Sequence, residues 1–124
     1  MQRIILVGLA GLAGTLVRFW LSGRIDERWG GLFPIGTLFV NLLGCLLVGF
    51  LFHSLQERFL VDPMIRTTVL VGFLGGFTTF SSYGVQTFNL LRDGEMALAG
   101  LNITLSNVGG LFCVWAGYAL SRSL

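Results

Sequence analysis

The sequence predicts an all-α membrane protein with four transmembrane helices, and three observations carry that reading. Mean hydropathy is +0.81, 54% of the residues are hydrophobic and 11% are charged, a balance that water-soluble domains of this size do not show. All six acids and seven of the eight basic residues fall in short segments between long apolar runs. The longest runs, 25 uncharged residues at Thr67–Leu91 and 26 at Met96–Ser121, are long enough to cross a bilayer. The 124 residues read as one domain, 1–124. One copy is too short to enclose a wide pore, so function is expected where subunits meet.

The first span is expected from Ile4 to Ser22. Gly8, Gly11 and Gly14 recur every third residue and give one smooth stripe for close helix packing. No small-residue cleavage site follows it, so it reads as a retained helix. Arg18 is the one charge inside a span. It either snorkels to the interface or forms an anion-attracting vestibule wall. A polar link, Gly23 to Leu32, carries Arg24, Asp26, Glu27 and Arg28, with Trp29 as an interface anchor.

The second span is 23 uncharged residues, Gly30–Phe52, with its helix expected from about Pro34. Thr37, Asn41, Gly44 and Cys45 share one face. An asparagine this deep needs a partner: it is either interhelical glue or a donor that replaces water around an ion. His53 reads as a solvated interface residue with no role. In the next link, Gln56 to Arg66, Asp62-Pro63 marks a helix start.

The third span contains the most informative stretch, Gly72 to Tyr83. Gly75-Gly76 costs about 1 kcal/mol per glycine against alanine, and hydroxyl residues Thr78, Thr79, Ser81 and Ser82 follow. An interruption at this depth exposes backbone groups that protein, water or an ion must satisfy. The bland reading is a packing surface, because Gly72 and Gly76 form a GxxxG pair. Arg92-Asp93-Gly94-Glu95 is a tight polar turn. In the fourth span Asn102, Ser106, Gly109 and Gly110 share one face, with Asn107 nearly opposite, and Trp115 and Tyr118 fit an aromatic belt.

Cys45 and Cys113 lie in apolar runs and read as buried small hydrophobes. No metal-ligand cluster and no Ser-His-Asp set is present, so the chain is not expected to be an enzyme. Four spans put both termini on one side, with Arg3, Arg58, Arg66 and Arg122. Arg24, Arg28 and Arg92, with Arg18 if it snorkels there, lie on the other. This balance gives almost no preferred orientation. It permits insertion both ways and antiparallel pairing of two copies, or it is accidental.

Over nearly its whole length the chain resembles the CrcB/Fluc family of fluoride channels. The stretches that carry the likeness are Gly11 to Phe19 with its arginine, Pro34 to Gly44 with its proline-glycine-threonine and asparagine, and Gly72 to Ser82, the most specific. The polar face Asn102, Ser106, Gly109, Gly110 matches less specifically. The resemblance implies an antiparallel, dual-topology homodimer in the cytoplasmic (inner) membrane with a broken third helix and two fluoride pathways. It implies Asn41 and Phe80 in the pore, and a structural sodium ion at the dimer centre held at Gly75 and Thr78. Fluoride, a second copy and membrane lipid are the expected partners, and nucleic acid is not. Three features depart from the pattern: Tyr83 stands where a second phenylalanine is usual, the fourth helix has fewer hydroxyls, and Ser82 replaces a threonine.

The residues suit the task. Fluoride is strongly hydrated, so donors must replace its water. Asn41 offers an amide N–H, and Thr37, Ser81, Ser82 and Ser106 offer hydroxyls, with Asn102 and Arg18 on the adjoining polar faces. Phe80 and Tyr83 offer positive ring edges. A negative interior favours anion exit by about 2.3 kcal/mol per 100 mV, so a passive channel suffices for export. The alternative is a small multidrug-resistance-type proton-coupled antiporter. It needs a membrane-embedded carboxylate, and all six acids are read into links.

Overall fold

The computed structural model describes residues 1–124. It is all-helical, with four spans long and apolar enough to cross a membrane: Gln2–Trp29, Ile35–Arg58, Pro63–Arg92 and Met96–Ser123. We label the first α1 and the second α2, whose last six residues, His53–Arg58, are wound as π turns. The third span is helical in two pieces. Helix α3 runs through Pro63–Thr67, a π-wound Thr68–Phe73 and Leu74–Phe77. Helix α4 is Phe80–Arg92. Helix α5 runs through Met96–Thr104, a π-wound Leu105–Gly109 and Gly110–Ser123.

Helix α1 is longer than the sequence reading has it. Arg24, Asp26, Glu27 and Arg28 are helical, not a link. Charge ends the apolar run but does not break a helix, and arginine and glutamate are good helix formers. The guanidinium groups of Arg24 and Arg28 lie 5.8 Å from the ring centres of Trp20 and Trp29, which anchors the charged end over aromatic faces. The helix stops at Gly30, whose backbone turns extended while its N–H closes on the Asp26 carbonyl at 2.7 Å.

Helix α2 begins directly after Pro34, as expected, and α1 supplies its cap. Asp26 Oδ1 accepts the Gly36 N–H at 2.8 Å. His53 is not a free interface residue. Its side chain is 14% exposed, Nδ1 lies 2.9 Å from Ser121 Oγ, and the ring stands edge-on to Tyr118. Ser54 and Ser121 hydroxyls meet at 2.6 Å, so the π-wound end of α2 is tied to α5. At the start of α3, Asp62 Oδ1 accepts the Met64 N–H at 2.7 Å, with Pro63 in the first turn. After α4, Gly94 takes φ +82° and Glu95 N–H closes on Leu90 O, a glycine-ended helix stop.

Two glycine-mediated contacts set the helix positions. Helix α1 lies on α3 so closely that a Cβ at Gly14 would overlap the Phe73 carbonyl, and one at Gly76 would overlap the Gly11 carbonyl. Helix α2 lies on α5 in the same way, through Gly49 against Val114 and Gly117 against Leu46. Gly8, in the same stripe as Gly11 and Gly14, meets no atom of its own chain within 4 Å. Only 18 of 124 residues are buried, so most apolar side chains face outward, as hydrocarbon requires and water would not allow. The small core, Val40, Leu74 and Phe77, sits where α2 crosses the end of α3 and supports the site described next.

Gly14→Ala should therefore destabilise the fold by about 2–3 kcal/mol, because its Cβ meets backbone that cannot move aside. Gly8→Ala should leave the detergent melting temperature equal or raised. Equal melting of the two variants would refute the backbone-to-backbone account of this seam.

Candidate functional site: a helix interruption between two cavities

The third span leaves the helix at Thr78 and Thr79. Thr78 has φ −94°, ψ 160° and Thr79 φ −150°, ψ 114°, both extended. Gly75 and Gly76, the weakest helix formers in the stretch, are themselves helical. Packing against α1 overrides the propensity of Gly76, and the interruption falls where a side chain can receive the freed backbone.

That side chain is Asn41. Its Nδ2 donates to the Thr79 carbonyl at 2.9 Å, and its Oδ1 accepts the Thr79 N–H at 2.7 Å. The amide thus pairs with the peptide groups of Thr79 as a neighbouring strand would. Thr79 Oγ1 then caps α4 by accepting the Ser82 N–H at 3.2 Å, and it donates to Ser82 Oγ at 3.0 Å. In an unbroken helix Thr79 N–H would bond the Gly75 carbonyl, and Ser82 N–H the Thr78 carbonyl. Both donors are committed elsewhere, so the carbonyls of Gly75 and Thr78 lose their helical partners. The Gly76 carbonyl is taken by Arg18 Nε at 3.0 Å, with Thr15 Oγ1 at 3.5 Å.

A cavity lies on each side of the interruption, and Thr79 lines both. The first, about 340 Å³, is lined by Asn41, Gly75, Thr78, Phe80, Tyr83, Ser106 and Asn107 among others. The Phe80 and Tyr83 rings are 5.4 Å apart, and Phe80 is 81% exposed. Ser106 Oγ is buried with no hydrogen-bond partner. The second cavity, about 260 Å³, is lined by Arg18, Ser22, Asp26, Thr37, Ser82 and Gln86 among others. Gln86 Oε1 is likewise buried and unpartnered. An orphan polar atom in each cavity marks both as places that take water or a polar ligand. The polar face of α2 bridges them, with Thr37 in one and Asn41 in the other.

The structure thus gathers nine of the eleven residues singled out from sequence around this interruption. Ser81 stays outside both cavities, with its hydroxyl 3.4 Å from Thr79 Oγ1. Asn102 also stays outside: it is 2% exposed, and its Nδ2 donates to Thr87 Oγ1 at 2.9 Å, tying α5 to α4. Arg18 does not snorkel away but reaches the end of α3. Among the polar lining residues, Ser22, Asp26, Gln86 and Asn107 were not foreseen, Asp26 because it was read into a link. Gln86 follows Ser82 by four on α4, so helical spacing alone could have found it. Asn107 was placed nearly opposite Ser106, yet both line the first cavity, where Asn107 Nδ2 donates to Tyr83 Oη at 3.1 Å and to the Ile103 carbonyl at 2.8 Å. The π winding of Leu105–Gly109 alters the angular spacing, and no sequence signal marks it.

Residues 5–118 match the family described as CrcB-like protein, Camphor Resistance (CrcB). The chain belongs to the CrcB family. It is 47% identical over 123 residues to a protein of Methylocella silvestris, covering 97% of this chain and 92% of that one. It is 45% identical over 125 residues to a protein of Aquifex aeolicus, each covered in full. It is 40% identical over 122 residues to one of Geotalea daltonii, with 98% of each covered. All three carry the name fluoride-specific ion channel FluC.

In this CrcB chain, Asn41→Ala removes both bonds to Thr79 and leaves a peptide unsatisfied in an apolar layer. The expected cost is about 2–4 kcal/mol, well above the ~1 kcal/mol of losing the Thr79 cap in Thr79→Val. Thermal melting of the two purified variants checks the order, and an equal or smaller loss in Asn41→Ala would remove Asn41 as the support of the interruption.

Proposed function

We propose that this protein is a fluoride-selective channel that passively exports fluoride across the cytoplasmic membrane. The observation that carries the reading is the meeting at Thr79 of two cavities that both present polar side chains, in a chain whose full-length relatives are named fluoride-specific channels. The donors at that meeting are neutral, apart from one guanidinium. Asn41 keeps one N–H beyond the one given to Thr79. Ser106, Ser82 and Thr37 add hydroxyls, and Phe80 and Tyr83 add ring edges. Such groups replace fluoride's water without trapping the ion as a ring of fixed cations would.

In this proposal two copies pair antiparallel and form two pathways. The balanced arginines and the outward apolar surface support that arrangement. Each copy places a α3 end near the dimer centre, where the carbonyls of Gly75 and Thr78 would hold a sodium ion. The donor set suits a monovalent ion: two hard carbonyl oxygens without helical partners, and no carboxylate among the residues of that cavity. The ion would supply structural charge balance for the exposed helix end. The antiporter alternative has no support at the site. Asp26 is the one carboxylate lining either cavity. It is exposed and already holds the Gly36 N–H.

Liposomes containing the purified protein should lose fluoride rapidly while retaining chloride. Phe80→Ile should slow fluoride efflux by at least about tenfold, a loss of ~1.4 kcal/mol, because an aliphatic side chain has no comparable edge charge. Tyr83→Phe should stay near wild type, since the ring edge remains and Asn107 keeps its bond to Ile103. Equal chloride and fluoride efflux would defeat the channel reading. Undiminished flux in folded Phe80→Ile would defeat the ring-edge account.

A further inference from the structure

The second cavity holds one guanidinium and one carboxylate, Arg18 and Asp26, and they do not pair. The arginine–carboxylate ion pair of the chain is Arg92–Asp93, and it lies elsewhere. Each cavity charge is instead fixed by backbone. Arg18 Nε is held by the Gly76 carbonyl of α3, and Asp26 Oδ1 by the Gly36 N–H of α2. Asp26 Oδ2 packs against Gly36 in the space that a Cβ would fill, 2.6 Å from where it would stand. A fixed positive and a fixed negative charge therefore share one cavity of about 260 Å³.

The structural task of Asp26 does not require its charge. A neutral amide oxygen accepts the Gly36 N–H as a carboxylate does, since asparagine is as good a cap as aspartate. What the charge adds is a field inside the cavity, and its sign opposes an entering anion. We infer that Asp26 is an electrostatic throttle: its fixed negative charge offsets Arg18 and holds anion entry into the second cavity below what Arg18 alone would support. Asp26 acts on the anion through the field and not by contact, so it is a positioning and rate-setting residue. This inference rests on the channel reading above and names a determinant of its rate.

The test is fluoride efflux from liposomes at subsaturating fluoride, in about 20 mM and about 1 M impermeant salt, where the Debye length falls from roughly 20 Å to ~3 Å. Asp26→Asn keeps the cap and removes the charge. It should raise efflux about two- to fivefold at low salt, the effect of one unit charge at cavity dimensions in a wet site, and the gain should vanish at high salt. Asp26→Ala should share the salt-sensitive gain while melting at a lower temperature, because it also loses the cap. A purely structural residue would lower stability without a salt-dependent rise in flux. Efflux from folded Asp26→Asn that equals or falls below wild type at low salt would overturn the throttle. A wild-type protein that passes no fluoride would overturn the channel reading itself, and the throttle with it.

Discussion

The structure depends on one asparagine doing the work of a backbone. A chain that leaves the helix inside hydrocarbon exposes an N–H and a C=O, and each costs several kcal/mol if unpaired. Asn41 answers both with one planar amide, donating at 2.9 Å and accepting at 2.7 Å. Few side chains could. Threonine lacks the span between donor and acceptor, and aspartate has no donor. Because the pairing joins α2 to the interruption, it fixes the register between them. It thereby puts Thr37 on one side of Thr79 and Asn41 on the other.

The same interruption sorts charge. Helix α3 ends with carbonyls pointing onward, a partial negative end, and α4 begins with N–H groups, a partial positive end. Arg18 settles on the negative end at Gly76, beside the carbonyls of Gly75 and Thr78, whose helical donors are committed elsewhere. Phe80 and Ser82 open the positive end, where an anion is favoured. A single local departure from helix thus sets a partially negative and a partially positive backbone end a few residues apart. The first cavity touches both, since Gly75, Thr78, Phe80 and Tyr83 all line it.

Much of this was legible in the sequence, and the misses have identifiable causes. Four spans followed from apolar runs, and the starts at Pro34 and Asp62-Pro63 followed from proline chemistry. The glycine-hydroxyl stretch was legible as the centre, but the two readings of its glycines stayed open because each holds for different residues. Gly72 and Gly76 meet α1, whereas Gly75 meets nothing within 4 Å and faces the first cavity. Only tertiary contact separates adjacent glycines in this way. The end of α1 was misplaced because charge density was read as a link, when nothing before Gly30 breaks the helix. Asn107 was missed because the 3.6-residue period fails within a π turn, and Asn102 drew attention as a polar residue whose partner, Thr87, lies on another helix.

The polarity of the two cavities is graded, and the grading bears on conduction. The second cavity gathers formal charges, Arg18 and Asp26, with hydroxyls and an amide around them. The first contains no formal charge: its amides, hydroxyls and ring edges stand among apolar side chains such as Val48, Leu70 and Leu74. In the proposed channel, an ion crossing between them would move from a region where a long-range field acts to one where only short-range donors act. Those donors are individually weak, and one of them, Ser106 Oγ, has no other partner to give up. In the proposed channel, entry would then be governed by charge and onward passage by exchange among neutral groups. Several modest sites in sequence favour transit over retention, whereas a single strong site would hold the ion.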